Sequence, residues 1–287
     1  MGKKIKVRRW MKSQLYDKYQ KGFGHSKKKG VHNQTPFIHS ENTYKTYLAQ
    51  CDHFADWLIE QGVKDKDEAF KLIPDYLKNL EAKGQSAWSI QTSMCAIAKA
   101  YDISTESIPY VAPKRRRADV KRSRGAAERD KHFSIKKNQG LIDFCSSTGL
   151  RRHELAALHG NQLAVDYKGE YIIRNVKGKG GKVRDITIIG SPKEIEYVVN
   201  TMRAAKEGLV FQSVHSAFDE HYYRSIYACR AYKKVERDIE SLENKDLYIC
   251  RKDKKGVKYD KKALKYASEQ LGHHRIDVVA LSYLHNL

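Results

Sequence analysis

Five cysteines in 287 residues are too few and too scattered to hold this chain together. Cys51, Cys95, Cys145, Cys229 and Cys250 are odd in number, widely spaced and without a CxxC pair. That pattern argues against both a disulfide framework and a zinc site. Most of them lie among apolar neighbours and are expected as small core residues, with a catalytic thiol as the minor alternative. Long apolar runs are missing too. No stretch approaches the ~20 residues of a spanning helix, and the first residues, MGKKIKVRRWMKSQL, contain no apolar signal core. Neither GxxxxGK(S/T) nor a GxGxxG after a strand occurs, so no cofactor is expected, and no metal either. Acid is scarce: 34 Asp and Glu face 55 Lys and Arg, a net charge of +21 with a pI near 9.6. Such an excess points to a polyanionic partner, most often nucleic acid. A soluble, cytoplasmic, nucleoid-associated chain is expected.

Hydrophobic residues make up 40% of the chain, enough for packed cores. The length fits two domains of unequal size. Residues 1–37 read as a basic arm, with eleven Lys or Arg and one acid, Asp17, in the first 30. A short helix is expected within WMKSQLYDKYQKGFG, and a solvated tail and a DNA-touching arm are equally good readings of the rest. Residues 38–112 read as a small helical domain. Tyr44, Tyr47, Leu48, Cys51, Phe54, Ala55, Leu58 and Ile59 recur at steps of three and four until Gly62. A second helical stretch is divided at Pro74 and stopped at Gly84, and Ser86 is the N-cap of a third. Residues 113–125, PKRRRADVKRSRG, hold seven basic residues and one acid and form the expected linker. So basic a linker is expected along phosphates rather than merely solvated. Residues 126–287 form a second domain, mainly helical. Within it EYIIRNVKGKGGKVRDITIIG switches to strand alternation around a Gly/Lys turn, a β-hairpin.

Four places in that second domain could carry chemistry. In STGLRRHELAAL an arginine opens a helix after glycine, where free N–H groups already favour an anion. A surface pair with Glu154 is the plainer alternative. In NVKGKGGKVRDITI a lysine on a glycine-flanked turn could reach a ligand, although such turns are usually just polar. In DEHYYRSIYACR, His221 and Arg224 fall on one helix face, suited to proton handling and phosphate binding, or equally to a helix-surface pair. Finally LGHHRIDVVALSYLHNL places a helix stop before His273, with Tyr283 ten residues on.

Taken in order, Arg, Lys, His-x-x-Arg, Leu-Gly-His and Tyr resemble the tyrosine recombinases, the phage-integrase-like site-specific recombinases. The resemblance covers the whole second domain. It is specific at TGLRRHEL, HYYR and LGHH…SYLH, and the basic helical first half is similar in architecture to the family's core-binding domain. It implies a mainly α fold with a small β-hairpin or sheet, in which a helical core-binding domain and a mixed α+β catalytic domain clamp DNA. Carried over by position, it implies Arg151 as the first catalytic arginine, with Arg152 as its neighbour. Lys179 matches the hairpin lysine, with Lys177 and Lys182 as rivals. His221 and Arg224 match the His-x-x-Arg box, His273 the Leu-Gly-His histidine, and Tyr283 the nucleophile. The step from His273 to Tyr283 is one longer than usual, which keeps His274 open for the second histidine role.

The implied activity is cleavage and rejoining of DNA through a 3′-phosphotyrosine, without metal or ATP. Tyr283 attacks phosphorus, Arg151 and Arg224 hold the non-bridging oxygens, and Lys179 protonates the leaving oxygen. His221 helps take the tyrosine proton, and His273 orients or neutralises the phosphate. The implied partners are double-stranded DNA at a specific site, further copies in a dimer or tetramer synapse, and an accessory directionality factor. Residues 247–265 look like an insert typical of mobile-element integrases, with eight basic and two acidic residues between 251 and 265. Lys114, Arg115, Arg116, Arg117, Lys121, Arg122 and Arg124 of the linker are expected on the DNA backbone, as are Arg251, Lys252, Lys254 and Lys255 of the insert. Only four residues follow Tyr283, so subunits are expected to meet through another surface. A type IB topoisomerase and a non-catalytic basic DNA-binding protein are the alternative functions.

Overall fold

A computed structural model of the chain describes residues 6–24, 35–63, 65–116, 119, 133–178, 181–251, 254–273, 275–285 and 287. It divides into two compact units, Met1–Arg115 and Arg116–Leu287.

The first unit is helical: α1 (Lys6–Gly22), α2 (Glu41–Glu60), α3 (Lys66–Lys71), α4 (Ile73–Ala82) and α5 (Ala87–Tyr101). Ser40 caps α2 by accepting from Thr43 N, and Ser86 caps α5 by accepting from Ser89 N. Pro74 sits in the first turn of α4, where its missing N–H costs nothing, so the break falls at Leu72. The segment expected as a basic arm holds α1, and this helix is part of the core. Val7, Met11 and Leu15 recur every four residues on one stripe and are buried with Phe54, Leu58, Leu77 and Ile97. Met11 and Leu15 are fully buried, each a gain of about 1.5–3 kcal/mol over exposure. Arg8, Arg9 and Lys12 lie off this stripe, and Lys18, on it, has 13% of its side chain exposed and reaches Asp102 Oδ1 with Nζ at 2.5 Å, whereas charge alone suggested an arm. Residues 1–5 and 25–34 lie outside the described residues.

The second unit is mostly helical around a small antiparallel sheet. Its elements are α6 (Gln139–Thr148), α7 (Arg152–Ala156), β1 (Leu163–Val165), β2 (Tyr171–Lys177), β3 (Val183–Thr187), α8 (Pro192–Ala205), α9 (Glu220–Val235), β4 (Leu247–Ile249), β5 (Lys258–Asp260), α10 (Lys261–Gln270) and α11 (Ile276–Ser282). The β2–β3 hairpin stands where alternation placed it, with β1 added on the outer side of β2. One extra residue bulges β2 between Ile173 and Val176, at Asn175 with φ 56°. The bulge keeps Ile173 opposite Ile186 and Val176 opposite Arg184, all on the core side. Tyr227 ties three elements together: its hydroxyl donates to Thr187 O at 2.7 Å and Gln270 Oε1 at 2.9 Å.

Helix α9 ends at Val235, and just beyond it Arg237 is pulled onto Asp260: Nη2 donates to Oδ1 at 2.7 Å and Nε to Oδ2 at 3.0 Å. Part of the basic insert is a second hairpin, β4–β5, registered by Tyr248 opposite Tyr259.

Candidate active site

The site begins with one buried carboxylate. Glu154 lies on α7, its side chain 0% exposed, and arginines converge on it. Arg184 grips it twice, Nη1 to Oε1 at 2.8 Å and Nη2 to Oε2 at 3.0 Å. Arg151, at the helix N-cap, donates through Nη1 at 3.0 Å and through its backbone N–H at 2.8 Å. Arg224 Nη1 stands 3.9 Å away. Burial raises the Glu154 pKa, but the bonds and charge of Arg184 and the charge of Arg224 overcome it and hold the carboxyl at about 2. The carboxylate neutralises only part of this arginine cluster, so the cluster keeps positive charge for an anion.

Arg224 on α9 is completely buried. Its Nη1 donates to Gly149 O and its Nη2 to Leu271 O, while Nε is buried with no partner. Both carbonyls sit in turns that need glycine. Gly149 ends α6 with φ 60°, and a Cβ there would lie 2.3 Å from the Tyr227 ring. Gly272 ends α10 with φ 66°, its open side filled by the Arg184 guanidinium. The glycines of TGLRR and LGHH thus shape the turns that aim Arg224.

His273 follows the second turn. Its Nε2 lies 3.2 Å from the Tyr283 hydroxyl and 3.4 Å from Arg151 Nη2. Burial lowers the imidazole pKa to about 4, with Arg224, Arg151 and Arg184 adding to the effect. It is therefore neutral near pH 7, and the one lone pair of an unprotonated Nε2 can accept from the phenol, the nearer of the two neighbours, or from Arg151. Tyr283 caps α11 and is 7% exposed, and the Arg224 guanidinium carbon lies 5.7 Å from its ring centroid. The arrangement puts a phenol with a proton acceptor beside a cluster of arginines that can hold an anion.

The chain is similar to solved integrase and recombinase structures. It shares 10% identity with a Tn1549 transposon integrase in complex with transposon right end DNA, over 98% of this chain and 95% of that one, at a TM-score of 0.49. The same integrase with circular intermediate DNA gives 10% identity, 98% and 96% coverage and a TM-score of 0.48. XerA recombinase gives 16% identity over 85% of this chain and 87% of its own, at a TM-score of 0.33. No family model and no curated protein matches.

The structure brings Arg151, Arg224, His273 and Tyr283 together. His221 stands one turn before Arg224 with 55% of its side chain exposed, 3.9 Å from Glu220. Desolvation lowers its pKa, Glu220 opposes, and the charge of Arg224 adds to the lowering. It is within electrostatic reach of the cluster, but His273 is the histidine on the phenol. Arg152 is structural: it donates to the carbonyls of Val214, His215, Ser216 and Phe218 and pins that loop. Lys179 and His274 lie outside the described residues. Of the hairpin alternatives, Lys182 lines a cleft of about 200 Å³ with Arg151, Arg184 and Gly272. Lys114, Arg115, Arg116, Arg251 and Lys255 are exposed, whereas Arg117, Lys121, Arg122, Arg124 and Lys252 are outside the described residues. Lys254, grouped with the backbone-facing cations on charge alone, donates to Ala280 O and Leu284 O at the end of α11. Among the described residues no group of three His, Cys, Asp or Glu is placed to hold a metal, and no helix is long and apolar enough to cross a membrane.

Sequence reasoning missed Arg184 altogether and assigned Glu154 only to a surface pair. A signal for Arg184 existed: it is in phase with Ile186 and Ile188, two and four residues on, both buried. A cation in the apolar phase of a strand needs a buried partner.

Proposed function

We propose that the chain is a site-specific DNA recombinase of the tyrosine recombinase type, which cleaves and rejoins DNA through a 3′-phosphotyrosine and moves a mobile element. The observation that carries this reading is the Tyr283 hydroxyl 3.2 Å from His273 Nε2 within the Arg151–Arg224 cluster. A DNA phosphodiester is an anion and a poor electrophile. Charge neutralisation, a nucleophile and a proton for the leaving oxygen are the three needs of its cleavage. Arg151 and Arg224 supply the first, and groups of this kind contribute about 10²–10³ each in rate. Tyr283 is the nucleophile. Its proton passes to His273 Nε2, its oxygen bonds to phosphorus, and the bond from phosphorus to the 5′ oxygen breaks. Lys179 donates the proton that makes the leaving group a 5′-hydroxyl. Attack by the 5′-hydroxyl of a second duplex reverses these steps and frees the tyrosine. His221 stands at the open side, where it can donate to a phosphate oxygen. The partners proposed are double-stranded DNA, further copies of the chain in a dimer or tetramer, and a directionality factor.

A nicked substrate that loses its short 5′-hydroxyl fragment traps the covalent intermediate. Wild type is expected to form a protein–DNA adduct stable to denaturant, and Tyr283→Phe none, with DNA affinity kept within about threefold because only one oxygen is lost. Tyr248→Phe and Tyr266→Phe are expected to retain the adduct. An adduct from Tyr283→Phe would remove Tyr283 from the role.

A further inference from the structure

We propose that Lys254, on the turn between β4 and β5, is a positioning residue that clasps the C-terminal end of α11 and so holds the Tyr283 phenol in place. The catalytic part of this inference rests on the recombinase reading above, while the clasp itself does not. Helix α11 has seven residues, too few to persist alone, and its final turn closes with the Tyr283 and Leu284 amides donating to Val279 O. Lys254 Nζ stands 3.1 Å from Ala280 O, 2.8 Å from Leu284 O and 3.3 Å from the Tyr259 hydroxyl. The three N–H groups of the ammonium match three acceptors. The Tyr259 hydroxyl in turn donates to Leu284 O at 3.3 Å. Tyr259 is buried, and burial pushes its phenol up to about 12, so it remains a donor. A cation at a helix C-terminus also opposes the negative end of the helix dipole. These contacts bracket Tyr283: Ala280 lies one turn before it and Leu284 immediately after.

The clasp has a firm base. Asp260, at the end of β5, is fully buried, receives Arg237, and donates its backbone N–H to the Tyr232 hydroxyl at 2.9 Å. Arg237 follows α9, the helix that carries Arg224. The second hairpin therefore links the arginine helix to the tyrosine helix. Charge alone read Lys254 as a phosphate ligand. Its engaged donors favour the inward role, whereas Arg251 and Lys255, the other described cations of this turn, are exposed.

The test uses full-length Lys254→Met and Lys254→Arg, with Lys255→Met as control and Tyr259→Phe as a milder disruption. In the DNA-free protein, Lys254→Met is expected to speed hydrogen exchange at the Tyr283 and Leu284 amides about tenfold or more, with Tyr259→Phe in the same direction and smaller. In this exchange measurement Lys254→Arg, which keeps charged donors, and Lys255→Met are expected to match wild type. On the nicked substrate, Lys254→Met is expected to lower the single-turnover rate of adduct formation about 10- to 100-fold, with DNA affinity changed less than about threefold. Unchanged exchange at both amides in Lys254→Met and in Tyr259→Phe overturns the clasp. Lost DNA affinity with unchanged exchange overturns it in favour of a phosphate contact. If wild type forms no adduct on any DNA, the recombinase reading fails, and the exchange measurement alone decides the clasp.

Discussion

Glu154 is a fully buried carboxylate shared by Arg151 and Arg184, with Arg224 close by, and its ionisation is coupled to folding. Its pKa is about 2 in the folded chain against an ordinary 4.5. A depressed carboxyl pKa gives stability that is complete above 4.5 and lost as pH falls toward 2, on the order of 3 kcal/mol in all. His273 acts in the same direction at higher pH. Its folded pKa of about 4 lies below the ordinary 6.5, so the unfolded chain takes up a proton that the folded chain refuses as pH falls through that window. Denaturant titrations of the second unit are expected to show stability falling from pH 6.5 downward. His273→Asn is expected to flatten the upper part of that fall, and a fall that starts only below pH 4.5 in wild type would contradict the neutral imidazole. At this scale the ordered motifs named Arg151, Arg224, His273 and Tyr283, which the structure brings together, but also His221, which is 55% exposed and not on the phenol. The sequence was silent on how Glu154 and Arg184 pair, because that contact spans 30 residues and depends on a bulge in β2.

Turns between elements do much of the aiming. Gly149 holds φ 60° against the Tyr227 ring, so Gly149→Ala adds both a strained backbone and a clash at 2.3 Å. A loss of about 2–4 kcal/mol is expected in thermal or denaturant unfolding of the second unit, combining strain with overpacking. Gly169→Ala, also at positive φ but with open space around it, is expected to cost less. Helices with a clear stripe and a capping serine, such as α2 and α5, were legible because both signals are local. Strands β1, β4 and β5 were not, since three residues cannot display a period of two. Nor was the contact just beyond the end of α9, where Arg237 meets Asp260, 23 residues away.

Over the whole chain, the +21 charge makes binding to any polyanion salt-dependent. Replacing the seven basic residues of 113–125 by Ala is expected to lower the slope of log K against log salt by up to about 6, near 0.9 for each phosphate no longer neutralised. An unchanged slope would mark that segment as a spacer. Composition points to a polyanion without saying where it would lie, and α1 needed the three-dimensional core to separate its buried stripe from its charged surface.

Tyr283 touches His273 of its own chain, and Lys254 of the same chain grips the helix that bears it. Under the proposed function each copy then carries both halves of its chemistry and borrows no nucleophile from a neighbour. Titrating wild type with Tyr283→Phe on a two-site substrate is expected to lower strand cleavage in simple proportion to the wild-type fraction. Mixing Tyr283→Phe with an Arg224→Ala protein is expected to yield no cleavage at all, because two defective copies have nothing to exchange. Recovered activity in that mixture would mean that α11 leaves its own site and serves another.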